Sequence, residues 1–122
     1  MNVESTSSNV VANRLGKLAE LYKQGPASDL TARTLDKLIE YETSLANTQL
    51  KEVQRDMAVF EARYQMSSAA FYKVYQAGET DDRMDFVEWA SLIQMAENLQ
   101  RRIHLLSAEE TERHPWNIWM QS

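Results

Sequence analysis

Apolar residues recur along this 122-residue chain at steps of three and four, the spacing of one face of an α-helix. The clearest stripe follows steps of four, three, four, three and four through Ala46, Leu50, Val53, Met57, Phe60 and Tyr64. Neither glycine nor proline interrupts residues 29–64. We therefore predict one long helix over this range, roughly 50 Å in length at about 1.5 Å per residue.

The apolar face of this long helix continues upstream through Leu35, Leu38, Ile39 and Leu45. Glu42 interrupts it, at the point where the register slips. A heptad-like repeat is typical of helices that pack along their length. Because a chain of this size is too short to cover the whole rod, we expect part of it to project or to meet another chain.

A shorter stripe predicts an N-terminal helix over residues 8–24, with one apolar face made by Val11, Leu15, Leu18 and Tyr22. Gly25 and Pro26 follow it directly. A glycine just past a helix end and a proline after it are typical stop signals. Ser28 is well placed to cap the long helix that comes next.

Two further helices follow the long one. Ser67 or Ser68 is expected to cap a short helix over residues 68–77, which Gly78 closes. Asp85 and Glu88 resemble a capping box that opens a fourth helix over residues 85–106. Its predicted buried stripe is Phe86, Trp89, Ile93, Ala96, Leu99, Ile103 and Leu106.

The last segment, residues 107–122, is expected to be an acidic and aromatic tail. Ser107 to Glu110 has the pattern of another capping box, which predicts one or two further helical turns. Trp116, Ile118 and Trp119 then place three large apolar side chains close together. Two interpretations are open: the tail completes the core of its own chain, or it anchors a partner.

The whole pattern predicts a single all-α domain built as a long helical hairpin or small bundle. The second half of the long helix should pack antiparallel on residues 85–106. The short helix should plug the bend, with Phe60, Phe71 and Trp89 in the core there. Only three glycines and two prolines occur in the chain, which is too few for the frequent turns of an all-β fold.

Charge separates the chain into two parts. Residues 1–78 carry nine basic and nine acidic side chains, whereas residues 79–122 carry four basic and nine acidic ones, which accounts for the whole net charge of −5. This distribution disfavours direct binding to nucleic acid. A basic protein partner suits the acidic region better, with Glu79, Asp81 and Asp82 supplying the charge and Trp116 and Trp119 the anchor.

The sequence contains little that supports catalysis. There is no cysteine, so disulfides and thiolate chemistry are excluded, and we find no phosphate loop or nucleophile elbow. We therefore expect no catalytic residue, cofactor or metal site. A small metal-dependent helical hydrolase built on Asp81, Asp82, Asp85 and Glu88 is a remote alternative, because that reading lacks a second carboxylate cluster. Without a secretory signal or an apolar run long enough to span a membrane, a cytoplasmic protein is expected.

Three ordered motifs carry a family resemblance: KLIEYE at residues 37–42, FEARYQMSS at residues 60–68, and the segment from Phe71 to Trp89. Over residues 35–106 the chain resembles small helical proteins of bacteria, especially cyanobacteria, and archaea, which are often uncharacterised. These proteins resemble antitoxin-like partners in two-gene toxin–antitoxin loci. The resemblance implies a protein that binds and neutralises a toxin encoded nearby, and it implies no catalytic residue.

The chain departs from the family pattern at Gln65, which stands where we expect glycine. Because glycine is missing at this position, the bend after Tyr64 need not use a left-handed residue. A different functional class is open as well. The long helix and its heptad stripe are compatible with a self-associating coiled-coil scaffold, in which two copies form a homodimer. A homodimer that also binds a toxin would satisfy both hypotheses.

Overall fold

The computed structural model describes residues 3–112 of the chain, with side chains described for residues 7–107. Four helices and no strand occur in this range, so the predicted all-α class is confirmed. The helices are α1 (Val3–Lys23), α2 (Asp29–Tyr64), α3 (Ser68–Gln76) and α4 (Met84–Glu112). The chain divides into two compact units, Met1–Lys37 and Leu38–Ser122.

The first unit contains α1 and the beginning of α2. Ser28 caps α2 as predicted, since its side-chain oxygen accepts a hydrogen bond from the backbone N–H of Thr31 at 3.1 Å. The hydroxyl groups of Tyr22 and Thr31 lie 3.2 Å apart and join the end of α1 to the start of α2. The apolar stripe of α1 remains exposed at Val11, Leu15 and Leu18.

The second unit contains α2 from Leu38 onwards, α3 and α4, and in it α2 packs antiparallel on α4. Phe60 near the end of α2 packs with Trp89 near the start of α4. Further from the bend, Val53 and Ala46 pack with Ala96 and Leu99. The predicted heptad stripe of α2 is therefore the face that contacts α4, and the predicted helical hairpin is confirmed.

Glu42 marks a change of face on α2 and not a break in its packing. Its carboxylate lies 3.7 Å from the guanidinium of Arg102 on α4. The neighbouring residues Leu38, Tyr41 and Leu45 recur at steps of three and four, yet all three are exposed. The first half of α2 thus carries a second apolar face, separate from the one that packs on α4.

The bend after α2 uses a left-handed residue. Gln65 adopts a left-handed conformation, with φ at 51°, although it is not glycine. The N–H of Met66 bonds to the carbonyl of Glu61 at 3.3 Å, which is the backbone bond of a Schellman motif and requires a left-handed residue between them. The geometry of the helix end therefore determines the conformation at this position, whichever residue occupies it.

The end of α3 uses the same motif with the residue that favours it. Gly78 has φ at 74°, and the N–H of Glu79 bonds to the carbonyl of Val74 at 3.0 Å. At the other end of α3, Ser67 is the N-cap, accepting a hydrogen bond from the N–H of Ala70 at 3.1 Å. The predicted roles of Ser67 and Gly78 are confirmed.

The fourth helix differs from the prediction at both ends. It begins at Met84, and the carbonyl of Arg83 accepts the N–H groups of Phe86 and Val87, so Asp85 lies inside the first turn and is not the N-cap. The helix then runs through Ser107 to Glu112 without a new start, because no glycine or proline interrupts it. Residues 107–112 are therefore helical, and the rest of the predicted tail lies outside the described residues.

Aromatic stacking fills the core at the bend. The rings of Phe71 and Trp89 are parallel within 3°, with centroids 4.0 Å apart. Trp89 is fully buried, and its indole N–H donates to the hydroxyl of Ser68 at 2.9 Å. Phe60 contributes a third ring, 5.8 Å from Trp89. The predicted core roles of Phe60, Phe71 and Trp89 are thus confirmed.

The two left-handed positions predict opposite responses to substitution. Gly78→Ala should lower the free energy of unfolding by about 1–2 kcal/mol, since a side chain is disfavoured at positive φ although space is available. Gln65→Gly should raise it by about 0.5–1 kcal/mol through relief of the same penalty. Urea unfolding followed by the loss of helical circular dichroism measures both effects. Shifts of the same sign would contradict the assignment of the two motifs.

Candidate functional site

The loop between α3 and α4 contains all three predicted partner-binding carboxylates, Glu79, Asp81 and Asp82. Asp81 faces Arg83, whose guanidinium donates to it through Nε at 2.9 Å and through Nη2 at 2.7 Å. The backbone N–H of Arg83 adds a third bond at 3.1 Å. These hydrogen bonds hold the pKa of Asp81 below its usual range and raise the pKa of Arg83. The negative charge of Asp81 is therefore compensated by an arginine of its own loop.

Asp85 is bound in a similar way by the end of α2. The hydroxyl of Tyr64 donates to its carboxylate at 2.6 Å, and Arg63 donates at 2.8 Å. The hydrogen bond from Tyr64, followed by that from Arg63, holds the pKa of Asp85 below its usual range. These hydrogen bonds join α2 to α4 across the bend. Asp85 therefore stabilises the hairpin and is not a helix cap.

Arginine side chains also lie over the aromatic rings at this end of the hairpin. The guanidinium carbon of Arg83 is 4.7 Å from the ring centroid of Phe86 and 5.9 Å from that of Tyr64. Arg63 lies 5.3 Å from the centroid of Phe60. Such contacts favour a fixed position for each guanidinium. The positive charges of the bend are therefore tied to its own carboxylates and rings.

Two acidic side chains of the loop have no such partner. Glu79 and Asp82 are exposed, and neither takes part in the ion pairs found among the described residues. Next to them in the sequence, Met84 is 77% exposed and Val87 is 46% exposed at the start of α4. We call these four residues the bend surface. It combines unpaired negative charge with exposed apolar side chains.

The structure brings together some of the predicted site residues and not others. Glu79 and Asp82 share the loop with Asp81, but Arg83 neutralises Asp81 and leaves the other two unpaired. Trp116, Ile118 and Trp119 lie outside the described residues. Glu88 is exposed on α4, two residues beyond the third helical position that a capping box uses, because the helix begins at Met84.

The acidic loop has little of the chemistry of a metal centre. Among the described residues, no group of three His, Cys, Asp or Glu side chains is arranged to hold a metal ion. Arginine, tyrosine or backbone donors already bind Asp81 and Asp85. Carboxylates that are compensated in this way favour a structural and electrostatic role over metal binding.

A groove along one side of α3 was not predicted from the sequence. It has a volume of about 390 Å³ and lies between α2, α3 and α4. Its apolar lining includes Met57, Ile93 and Ala96, and its polar lining includes Lys73 and Glu97. The sequence signal for this groove was the presence of small residues between larger ones on packing helices. Hydrophobic periodicity alone cannot distinguish a groove lined by such residues from helices that pack closely.

Comparisons with known protein families, curated proteins and solved structures find no match to this chain. Among the helices that the structure describes, none combines the length and the apolar character that crossing a membrane requires. The contacts and charges of the bend surface and of the groove are therefore the basis for the functional proposals below.

The contact at Asp85 predicts a dependence of stability on pH. Because folding lowers the pKa of Asp85, the stabilising contribution is complete above the ordinary aspartate pKa of about 3.9 and is lost as the pH falls further. Asp85→Asn should therefore be less stable than the wild type at pH 7, and the gap should close below about pH 4. Thermal unfolding across this pH range measures the gap.

Asp82→Asn is the matched control for this experiment. It removes an exposed carboxylate from the loop just before α4 without breaking an observed ion pair. Its effect at pH 7 should be small compared with that of Asp85→Asn. A gap for Asp85→Asn that stays constant from pH 7 to about pH 2.5 would contradict the stabilising role of the contact.

Proposed function

We propose that this chain is a non-catalytic protein-binding module whose bend surface binds a basic protein partner. The observation that carries the proposal is the selective pairing of charges at the bend. Asp81 and Asp85 are compensated by their own chain, whereas Glu79 and Asp82 remain unpaired beside exposed Met84. A partner with basic side chains around an apolar contact would complement this surface.

The ordered backbone of the bend surface favours a role in binding a partner over a role in solubility alone. The loop is held at both ends, by the Schellman motif at Gly78 and by the first turn of α4. Arg83 and Asp81 fix its middle through a bidentate pair. Glu79 and Asp82 therefore extend from an ordered backbone, which lowers the entropic cost of binding.

In the proposed biological setting the partner is a basic toxin encoded next to this chain, and binding neutralises it. The support for this setting is the resemblance through residues 35–106 together with the acidic bend. The tail residues Trp116, Ile118 and Trp119 are proposed as a further anchor on the partner. We propose no enzymatic role, since Asp81 and Asp85 already have compensating partners, and no group of three His, Cys, Asp or Glu side chains among the described residues is arranged to hold a metal ion.

Coexpression tests the identity of the partner. The chain is produced with the product of an adjacent gene and purified through a tag on this chain. The expected result is a stoichiometric complex with a basic protein that inhibits growth when it is produced alone. Elution of this chain without that protein, or no rescue of growth by this chain, would contradict the antitoxin-like role.

The bend surface predicts a specific loss of binding in that complex. Glu79→Gln with Asp82→Asn should weaken the affinity about tenfold at low salt, mainly through the association rate, and the loss should shrink at high salt. The control is Glu52→Gln with Asp56→Asn, which removes the same charge from exposed positions of α2. Surface plasmon resonance measures both rates. Equal losses for the two variants would show that net charge, and not the bend surface, controls binding.

Self-association is a second candidate function. The heptad stripe from Ala46 to Tyr64 packs on α4 within the chain, so it is not the surface that would meet another copy. The exposed face of Leu38, Tyr41 and Leu45 on α2 is available instead, and Tyr41 is 62% exposed. Three such residues form a small interface, so we propose a weak homodimer.

Lysine side chains introduced on this exposed face of α2 should abolish the dimer. Sedimentation velocity of the wild type at high micromolar concentration should show a dimer that dissociates on dilution. Leu38→Lys with Tyr41→Lys should remain monomeric, whereas the control Leu105→Lys, at an exposed position on α4, should behave as the wild type. A wild type that stays monomeric throughout would remove the scaffold hypothesis.

A further inference from the structure

The groove beside α3 is open because small residues line two of its walls. Ala69 on α3 and Ala96 on α4 face the same space, and Ser68 lies at its inner end. The hydroxyl of Ser68 accepts a hydrogen bond from the indole N–H of Trp89 at 2.9 Å. Met57 and Ile93 supply an apolar floor. The groove is therefore an open depression of about 390 Å³ whose floor is partly apolar.

The rims of the groove carry one charge of each sign. Lys73 and Gln76 belong to α3, and Glu97 and Gln100 belong to α4. Neither Lys73 nor Glu97 appears in the ion pairs of the described residues. Tyr72 is also fixed at the rim, because the amide of Gln94 donates to its hydroxyl at 3.1 Å. An occupant that complements these rims needs an acidic group towards α3 and a basic group towards α4.

The walls also determine which backbone conformation suits the occupant. The lining residues Met57, Ala69, Tyr72, Ile93 and Glu97 all lie inside helices, where backbone N–H and C=O groups bond to each other. An extended peptide would find few backbone partners there. A helix satisfies its own backbone and needs only side-chain contacts, which is what this groove offers.

We propose that the groove is a docking site for an amphipathic helix of a partner protein. The helix presents apolar side chains to Met57 and Ile93, pairs an acidic residue with Lys73, and pairs a basic residue with Glu97. This inference deepens the proposed function, because it names the part of a protein partner that the second surface recognises. It does not depend on the charges of the bend surface.

Three synthetic helical peptides of equal length provide the probe. All carry the same leucine stripe, but their flanks are mixed Glu and Lys, Lys alone, or Glu alone. Titration into the ¹⁵N-labelled full chain should shift backbone amides at residues 68–76 and 93–100. The mixed peptide should bind at least threefold more tightly than either single-charge peptide, whichever direction the helix takes.

Charge changes in the protein should alter this order in a defined way. Lys73→Glu leaves two acidic rims, so the Lys-flanked peptide should become the tightest binder. Glu97→Lys leaves two basic rims, so the Glu-flanked peptide should become the tightest. An order of affinities that is the same for all three proteins would overturn the proposed charge pairing, and shifts outside the groove would overturn the site.

Two alanines on α3 give a matched test of the groove itself. Ala69 lines the groove and Ala70 does not, although both are exposed. Ala69→Phe should weaken the mixed peptide at least tenfold, whereas Ala70→Phe should leave it unchanged. Equal effects would refute the groove as the site. The toxin complex separates the two proposals: a complex weakened by the bend variant but not by Ala69→Phe would leave the bend surface standing and remove the groove.

Discussion

Burial of Trp89 is the constraint on which the rest of the hairpin depends. Its ring stacks on Phe71 of α3 and packs against Phe60 of α2, while its N–H bonds to Ser68. One side chain of α4 therefore contacts both of the other helices in this unit. An unpaired indole N–H in this site would be costly, so the position of α3 is fixed by hydrogen bonding as well as by stacking. The geometry of both proposed surfaces therefore depends on this cluster.

The charged side chains at the bend form two sets of contacts next to that aromatic core. Arg63 and Tyr64 hold Asp85 and close the hairpin, and Arg83 holds Asp81 in the loop. These pairs explain why a run of aspartates occurs where no metal group is found among the described residues. Part of the run orders the loop through arginine, and Asp82 stays exposed, outside the ion pairs of the described residues.

The sequence predicted the parts of the fold that depend on periodicity and local caps. The steps of three and four from Ala46 to Tyr64 identified the face on α4, and Ser67 and Gly78 identified the limits of α3. It failed where a tertiary or backbone partner decides the outcome. Gln65 is left-handed because the backbone N–H of Met66 bonds to the carbonyl of Glu61 across the helix end.

The candidate sites were less predictable for the same reason. Glu79 and Asp82 were identified from charge alone, but the neutralisation of Asp81 needed the loop conformation that places Arg83 on it. The role of Asp85 needed the antiparallel partner, because Arg63 and Tyr64 lie at the far end of another helix. The groove required three helices in place, and no pattern within a single helix reports such a space.

The short helix α3 connects the two proposed surfaces. Lys73 and Gln76 line the groove, and the chain reaches Glu79 only three residues after Gln76. A partner helix in the groove would therefore lie close to the loop that carries the unpaired carboxylates. Such a partner would place its apolar stripe beside α3 and additional basic residues beside Glu79 and Asp82. The net acidity of the region beyond residue 78 would then act in steering, while the groove would supply the selectivity for a helix.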